Sequence, residues 1–181
     1  LMPYLHLPIQ AGSDAVLKKM NRQHKAADYI HIIDKLRKAR PDIALSGDFI
    51  VGFPGESDDD FKDTMRLVET VGYAQAYSFK YSQRPGTPAA DKADQVPEEA
   101  KAERLALLQG LLNRQQAAFN RQTVGKEFEV LLEREGKYAG QLLGKSPYLQ
   151  SVHIKDAHVP LGTLAKVRVV DAGPNSLSAE L

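Results

Sequence analysis

Asp48 is the residue whose setting first points to chemistry. It interrupts an apolar run from Ile43 to Val51 that leads into the glycine-rich turn Gly52-Phe-Pro-Gly55. A carboxylate inside a buried strand is costly unless it is satisfied or stands at the mouth of a site. Asp48 is therefore expected to be functional rather than a cap on a neighbouring loop. Two more polar groups follow apolar segments in the same way: Gln10 and Ser13 after the first, and Tyr81, Ser82 and Arg84 after the third. In parallel α/β architectures ligands gather at the carboxyl ends of the strands. This set is uncharged apart from Asp48 and Arg84, and suits hydrogen bonding to a ribose, an amino acid or a nucleobase. It contains no nucleophile with a base beside it and no acid–base pair. The Gly52–Gly55 turn lacks the lysine of a phosphate-binding loop.

The elements that must position these groups alternate in type. Tyr4–Ile9 is expected as a strand with Pro8 near its end, and Ser13 and Asp14 cap a short helix through Met20. A helix over Ala26–Arg40 places Tyr29, Ile32, Ile33 and Leu36 on one face and ends before Pro41. After the Ile43–Val51 strand, a helix from Ser57 to Val71 turns Phe61, Met65 and Val68 inward, and Tyr73–Tyr81 alternates as a strand. The pattern implies an α/β fold with a parallel sheet, as a barrel or a doubly wound form. Three strands are too few to close an eight-stranded barrel, so the sheet is open or part of it lies outside this chain. Ser82–Val96 reads as a loop, and Pro97 opens a long helix with Leu105, Leu108, Leu112 and Phe119 as its buried stripe. Beyond Gly125 the pattern changes to short strands at Phe128–Glu133, around Tyr138–Leu143, and at Leu149–Ile154, Leu164–Val170 and Leu177–Leu181. Five strands in so short a span suit a small antiparallel β-barrel of the oligonucleotide-binding kind.

Composition narrows the chemistry further. The 181 residues carry a net charge of +1, so nucleic-acid binding would depend on a local patch. With no cysteine the chain supplies neither disulfides nor thiolate metal ligands, and its five histidines lack zinc-ligand spacing. No apolar run approaches the roughly 20 residues of a membrane span, and no signal peptide is visible. A cytoplasmic location without membrane attachment is the expectation. The opening Leu-Met-Pro-Tyr enters a strand at once, as a piece of a longer protein would.

Four segments in order carry a family resemblance: HLPIQAGSD (His6–Asp14), LKKMNRQH (Leu17–His24), SGDFIVGFPGES (Ser46–Ser57) and YSFKYSQRPGTPAA (Tyr77–Ala90). They closely resemble the second half of the radical S-adenosylmethionine (SAM) barrel of tRNA methylthiotransferases, and the C-terminal strands resemble the RNA-binding TRAM domain of that family. The resemblance implies a partial TIM-like (β/α) barrel over residues 1–120 and a TRAM β-barrel over 121–181. The ribosomal-protein S12 branch differs at the first motif. SFKYSQRPGTPA favours the branch that acts on N(6)-dimethylallyladenosine beside the anticodon over the one that acts on threonylcarbamoyladenosine.

The resemblance also implies site residues and partners. Gln10, Arg22, Asp48 and Ile50 match positions that hold the ribose, carboxylate and adenine of SAM, with Tyr81 and Ser82 as weaker candidates. In the TRAM segment, Lys145 would meet phosphate, Tyr148 would stack, and Gln150 and His153 would reach sugar or base edges. The family uses two 4Fe-4S clusters held by cysteines, a tRNA substrate and an electron donor such as flavodoxin or ferredoxin, and a monomer is expected. It cleaves SAM reductively and delivers sulfur and a methyl group to an adenine carbon. With no cysteine the chain alone is expected to be inactive, and no residue is assigned as catalytic. A non-catalytic RNA-binding module is the alternative from another class.

Overall fold

The computed structural model describes residues 2–155 and 159–181. The chain divides into two compact units, one of residues 5–112 and one made mainly of residues 113–181. The first contains a three-stranded sheet in the order β1 (Tyr4–His6), β2 (Ala44–Val51), β3 (Gln75–Lys80), with β2 and β3 parallel and Ser46 opposite Gln75. Its helices are α1 (Asp14–Lys19), α2 (Ala26–Ala39), α3 (Asp58–Val71) and the first part of α4 (Glu98–Arg121). Leu45, Phe49 and Val51 of β2 are buried in the core with Leu17, Ile33, Val68 and Leu108. Phe49 meets Tyr73 edge-on at 5.4 Å between ring centres. Period-2 alternation turns Ser46, Asp48 and Ile50 to the opposite face.

Two helix starts are capped as the sequence implies. Ser57 accepts the Asp60 N–H (3.1 Å) while the Asp60 carboxylate accepts the Ser57 N–H (2.9 Å), a reciprocal capping box. Ser13 caps α1 through the Val16 N–H (3.4 Å), and its hydroxyl donates to Asp60, which ties the two helix starts together. Burial works to raise the Asp60 carboxyl, but the hydrogen bonds from Ser13 and Ser57 win and hold it below the usual carboxylate range.

Several boundaries differ from expectation for identifiable reasons. The first strand stops at His6, the Leu7 N–H still donates to Ser46 O (2.9 Å), and regular pairing with β2 gives way to a single bridge between Gln10 and Phe49. Ile32 is exposed, since Tyr29, Ile33 and Leu36 complete the stripe of α2 and leave it on the flank. The strand expected at Tyr73–Tyr81 shortens to β3, with Tyr73 buried in the core ahead of it. On α4, Lys101 and Arg104 join Leu108, Leu111 and Leu112 on the buried face.

The second unit contains a closed five-stranded barrel, β4 (Glu127–Glu135), β5 (Leu142–Lys145), β6 (Ser151–Ile154), β8 (Ser176–Glu180) and β7 (Leu164–Ala172) in spatial order. Four pairings are antiparallel and β6–β8 is parallel. An odd number of strands cannot close with antiparallel pairs alone, so one parallel seam is a geometric necessity. Alternation fills the interior with Val130, Leu132, Val152, Ile154, Val167, Val169 and Leu177. The second barrel strand lies later than expected, because Gly136 to Gln141 closes a turn through Gly136 N–H to Gln141 O (2.7 Å) and Gln141 N–H to Tyr138 O (3.0 Å). The end of α4 belongs to this unit. Asn120 donates to the Gly173 and Pro174 carbonyls (both 3.1 Å) and accepts from Gln150 (2.9 Å).

Candidate functional site

The strand-end site is built on the backbone of Gln10. Its N–H donates to Asp48 O (3.0 Å) and its carbonyl accepts the Ile50 N–H (2.9 Å), so Gln10, Asp48 and Ile50 form one cross-strand group. Gln10 adopts φ 82°, a left-handed conformation that costs a non-glycine residue about 1–2 kcal/mol. Such strain concentrates where a side chain must be aimed. The Asp48 side chain retains 29% exposure and its Oδ2 lies 3.4 Å from His6 Nε2, while His6 Nδ1 is 2.7 Å from Ser46 Oγ. The strand carboxylate is thus partnered and open to solvent together, which removes the burial penalty that its sequence setting implied.

Beside this group lies a cavity of about 610 Å³ lined by Ile50, Phe53, Phe79, Tyr81, Ser82 and Arg84, together with Lys80, Thr87 and Ala89. Its size falls in the range of small-molecule sites. The Tyr81 ring packs edge-on against Phe53 at 5.2 Å, and its buried hydroxyl has no hydrogen-bond partner among the described residues. Arg22 stands apart. It lies in the turn after α1, its N–H bonds to Leu17 O (2.9 Å), and its exposed guanidinium has no partner among the described residues.

The turn that leads out of β2 is held from behind. Glu56, with its side chain 1% exposed, accepts the Gly52 N–H (2.8 Å) and Arg104 Nη1 (2.9 Å). Arg104 also donates to Glu56 O (3.1 Å) and to Asp58 Oδ1 (2.7 Å). Burial pushes the Glu56 carboxyl above the usual range, with the Gly52 N–H and Arg104 pulling the other way. The Lys101 stem fills the space beside Gly52, which sits at φ 70°, and its Nζ lies 5.6 Å from the centre of the Tyr81 ring.

Three residues of this region lie within the resembling segments but have no site role assigned from sequence: His6, Tyr77 and Phe79. Tyr77 and Phe79 stand opposite Asp48 and Ile50 in the β2–β3 register and are 48% and 55% exposed. Period-2 counting along β3 from Gln75 places both on the face that holds Asp48, so the signal was available.

On the barrel, Lys145 and His153 share the outer face of β5 and β6, where Lys145 pairs with Ser151 and Leu143 with His153. Lys145 Nζ donates to Ser151 Oγ (2.9 Å), and His153 Nδ1 is 3.4 Å from Gln141 Nε2. Tyr148 packs edge-on with Phe119 (5.6 Å) and Phe128 (6.5 Å). Gln150 spends both ends of its amide internally, accepting from Ser146 (3.1 Å) and donating to Asn120. Among the described residues no group of three or more His, Cys, Asp or Glu side chains is placed to hold a metal ion, and no helix is long and apolar enough to cross a membrane.

Comparison with known proteins shows what the chain is similar to. Residues 2–68 match the Radical SAM superfamily and residues 121–181 match the TRAM domain. The tRNA-2-methylthio-N(6)-dimethylallyladenosine synthase of Agrobacterium fabrum is 61% identical over 181 residues, the whole of this chain and 40% of the relative. The chain carries a Radical SAM superfamily segment and a TRAM domain, and over its whole length it is similar to part of such synthases. The synthases of Novosphingobium aromaticivorans and Erythrobacter litoralis are 60% and 61% identical, again over the whole chain and 41% and 40% of their own lengths. The chain thus spans about two fifths of the curated methylthiotransferases it matches. The radical SAM family implies SAM and iron–sulfur clusters, and the thiolates for such clusters are not supplied by this cysteine-free chain.

Proposed function

We propose that this chain forms the later part of the radical SAM barrel, residues 1 to about 120, and the TRAM domain, residues 121–181, of an enzyme that adds a methylthio group to the adenine of N(6)-dimethylallyladenosine in tRNA. The observation that carries the reading is identity of 59–61% over 99–100% of the chain to four synthases of that name. When bound, SAM would supply the radical and methyl chemistry of such a reaction. The groups of this chain bind and orient. Of the Gln10–Asp48–Ile50 group, Ile50 lines the cavity as an apolar contact, Gln10 and Asp48 add polar groups beside it, and the Tyr81 side chain forms another wall. These features fit a nucleoside-like ligand with a polar sugar and a flat base. Ser82 and Arg84 line the same cavity, and Arg22 would reach a carboxylate from the turn after α1.

Lys145, Tyr148, Gln150 and His153 are proposed as the tRNA contacts of the barrel. Lys145 and His153 present a cation and an imidazole side by side on the β5–β6 face, while Tyr148 offers a ring whose edge contacts already fix it. Two 4Fe-4S clusters ligated outside this chain, an electron donor of the flavodoxin or ferredoxin type, a monomeric state and a cytoplasmic location complete the proposal, and the chain alone is inactive. The test is to incubate the complete, cluster-bearing protein with SAM, a reductant and tRNA bearing N(6)-dimethylallyladenosine, then digest the tRNA and weigh its nucleosides. Gain of the methylthio mass on that nucleoside supports the reading; modification of threonylcarbamoyladenosine alone, or of neither, overturns it.

A further inference from the structure

We propose that Arg104, acting through Glu56, is a positioning residue for the strand-end site. It fixes the Gly52–Gly55 turn so that Ile50, Phe53 and Tyr81 keep the cavity in its ligand-binding shape. The inference rests on reading that cavity as a SAM face.

The clamp ties both ends of the turn to one rigid group. At its start, the Gly52 N–H is bound by the Glu56 carboxylate (2.8 Å); at its end, Arg104 Nη1 holds both Glu56 O (3.1 Å) and Oε1 (2.9 Å), and Nη2 holds Asp58 Oδ1 (2.7 Å). A planar guanidinium with a fixed fork of donors sets position and direction together, which a lysine ammonium does not. Between the tied ends lies Phe53, a cavity wall, and Ile50 precedes them by two residues. The adjoining wall is coupled to the same strand end, because the Tyr81 N–H donates to Val51 O (2.8 Å) and the Lys101 stem lies between Gly52 and the Tyr81 ring. Glu98, Lys101 and Arg104 share one side of α4: Glu98 pairs with Lys80 at the end of β3, Lys101 backs the turn, and Arg104 grips it.

A buried ion pair is a poor device for stability alone, since apolar residues of similar volume often serve as well. The pair at Arg104 and Glu56 is spent on backbone groups of the turn, and stability and positioning therefore separate under substitution. In the double variant Arg104→Met/Glu56→Met the buried charges are gone together and packing volume is kept, but the Gly52 N–H loses its acceptor and the turn loses its tether.

The experiment measures SAM affinity by equilibrium dialysis, and thermal midpoint by calorimetry, on the complete cluster-bearing protein. Wild type is compared with Arg104→Lys, the double variant and a cavity-wall control, Ile50→Asn. Arg104→Lys and the double variant are each expected to bind SAM about tenfold more weakly with thermal midpoints near wild type. Wild-type affinity in the double variant overturns the proposal; if Ile50→Asn has meanwhile lost binding, the SAM face itself stands. Wild-type affinity in all three removes the SAM face and the proposal together. Should the double variant fail to fold, Arg104→Lys decides by the same criterion.

Discussion

Removing Arg104 alone strands a buried charge, and the cost can be worked from its contacts. In Arg104→Met the Glu56 carboxylate, whose side chain is 1% exposed, keeps only the Gly52 N–H of its two side-chain partners. Breaking a buried pair in this way costs about 3–5 kcal/mol. The lost contact to Asp58, whose side chain is 87% exposed, adds little. The deficit depends on pH in a direction set by Glu56. Burial raises its carboxyl above the usual range, so the folded state holds the proton more tightly than the unfolded chain. Stability from this group is full below the unfolded value of about 4.3 and is lost as pH rises through the folded value. Without Arg104 the carboxyl rises further. The deficit is then largest at neutral pH and shrinks on acidification, as Glu56 takes up its proton. Urea unfolding of wild type, Arg104→Met, Glu56→Met and the double variant, followed at pH 7.5 and at pH 5, reads this directly through the transition of the first unit. A single-variant deficit below about 1 kcal/mol at pH 7.5, or one that grows on acidification, refutes the reasoning.

Other consequences are more local. Phe49→Ala removes a fully buried ring from the edge contact with Tyr73 and should lower the stability of the first unit by about 3–5 kcal/mol, checked by urea unfolding. In the barrel, a Cβ at Gly144 would run into the Leu131 carbonyl and Val130, so Gly144→Ala should loosen the β4–β5 pairing and cost about 1–3 kcal/mol, visible as faster amide exchange in both strands. For tRNA, Lys145→Ala in the complete protein should lower affinity and flatten its dependence on salt by about one phosphate contact, measured by filter binding over a salt series. Tyr148→Ala should cost tRNA affinity and barrel stability together, because its ring also packs on Phe119 and Phe128; affinity unchanged in both variants would move the tRNA contact elsewhere.

Period and punctuation made much of this molecule legible. Asp48 stood out because alternation along β2 left one carboxylate in an apolar run, and Ser57 with Asp60 announced the start of α3. The barrel followed from five short runs separated by turn residues, although Tyr138 went to a turn rather than a strand because Gln141 closes hydrogen bonds back across it. What stayed hidden was tertiary. Glu56 and Arg104 lie 48 residues apart, and each reads as an ordinary surface charge until α4 packs on the turn. The left-handed backbone of Gln10 is likewise invisible in a residue type that seldom adopts it. Among the residues assigned to the site, Gln10, Asp48 and Ile50 come together by backbone pairing, while Arg22 was placed by resemblance and has no hydrogen bond to them among the described residues.

The most direct test of the account is mass spectrometry of tRNA nucleosides from a strain that lacks the gene, complemented with the wild-type protein or with Asp48→Asn. The account predicts loss of the 2-methylthio nucleoside with accumulation of N(6)-dimethylallyladenosine in the deletion, recovery with wild type, and recovery of less than about a tenth with Asp48→Asn. An unchanged 2-methylthio-N(6)-dimethylallyladenosine signal in the deletion would contradict it, and loss of a methylthio threonylcarbamoyl derivative in its place would assign the protein to the neighbouring branch.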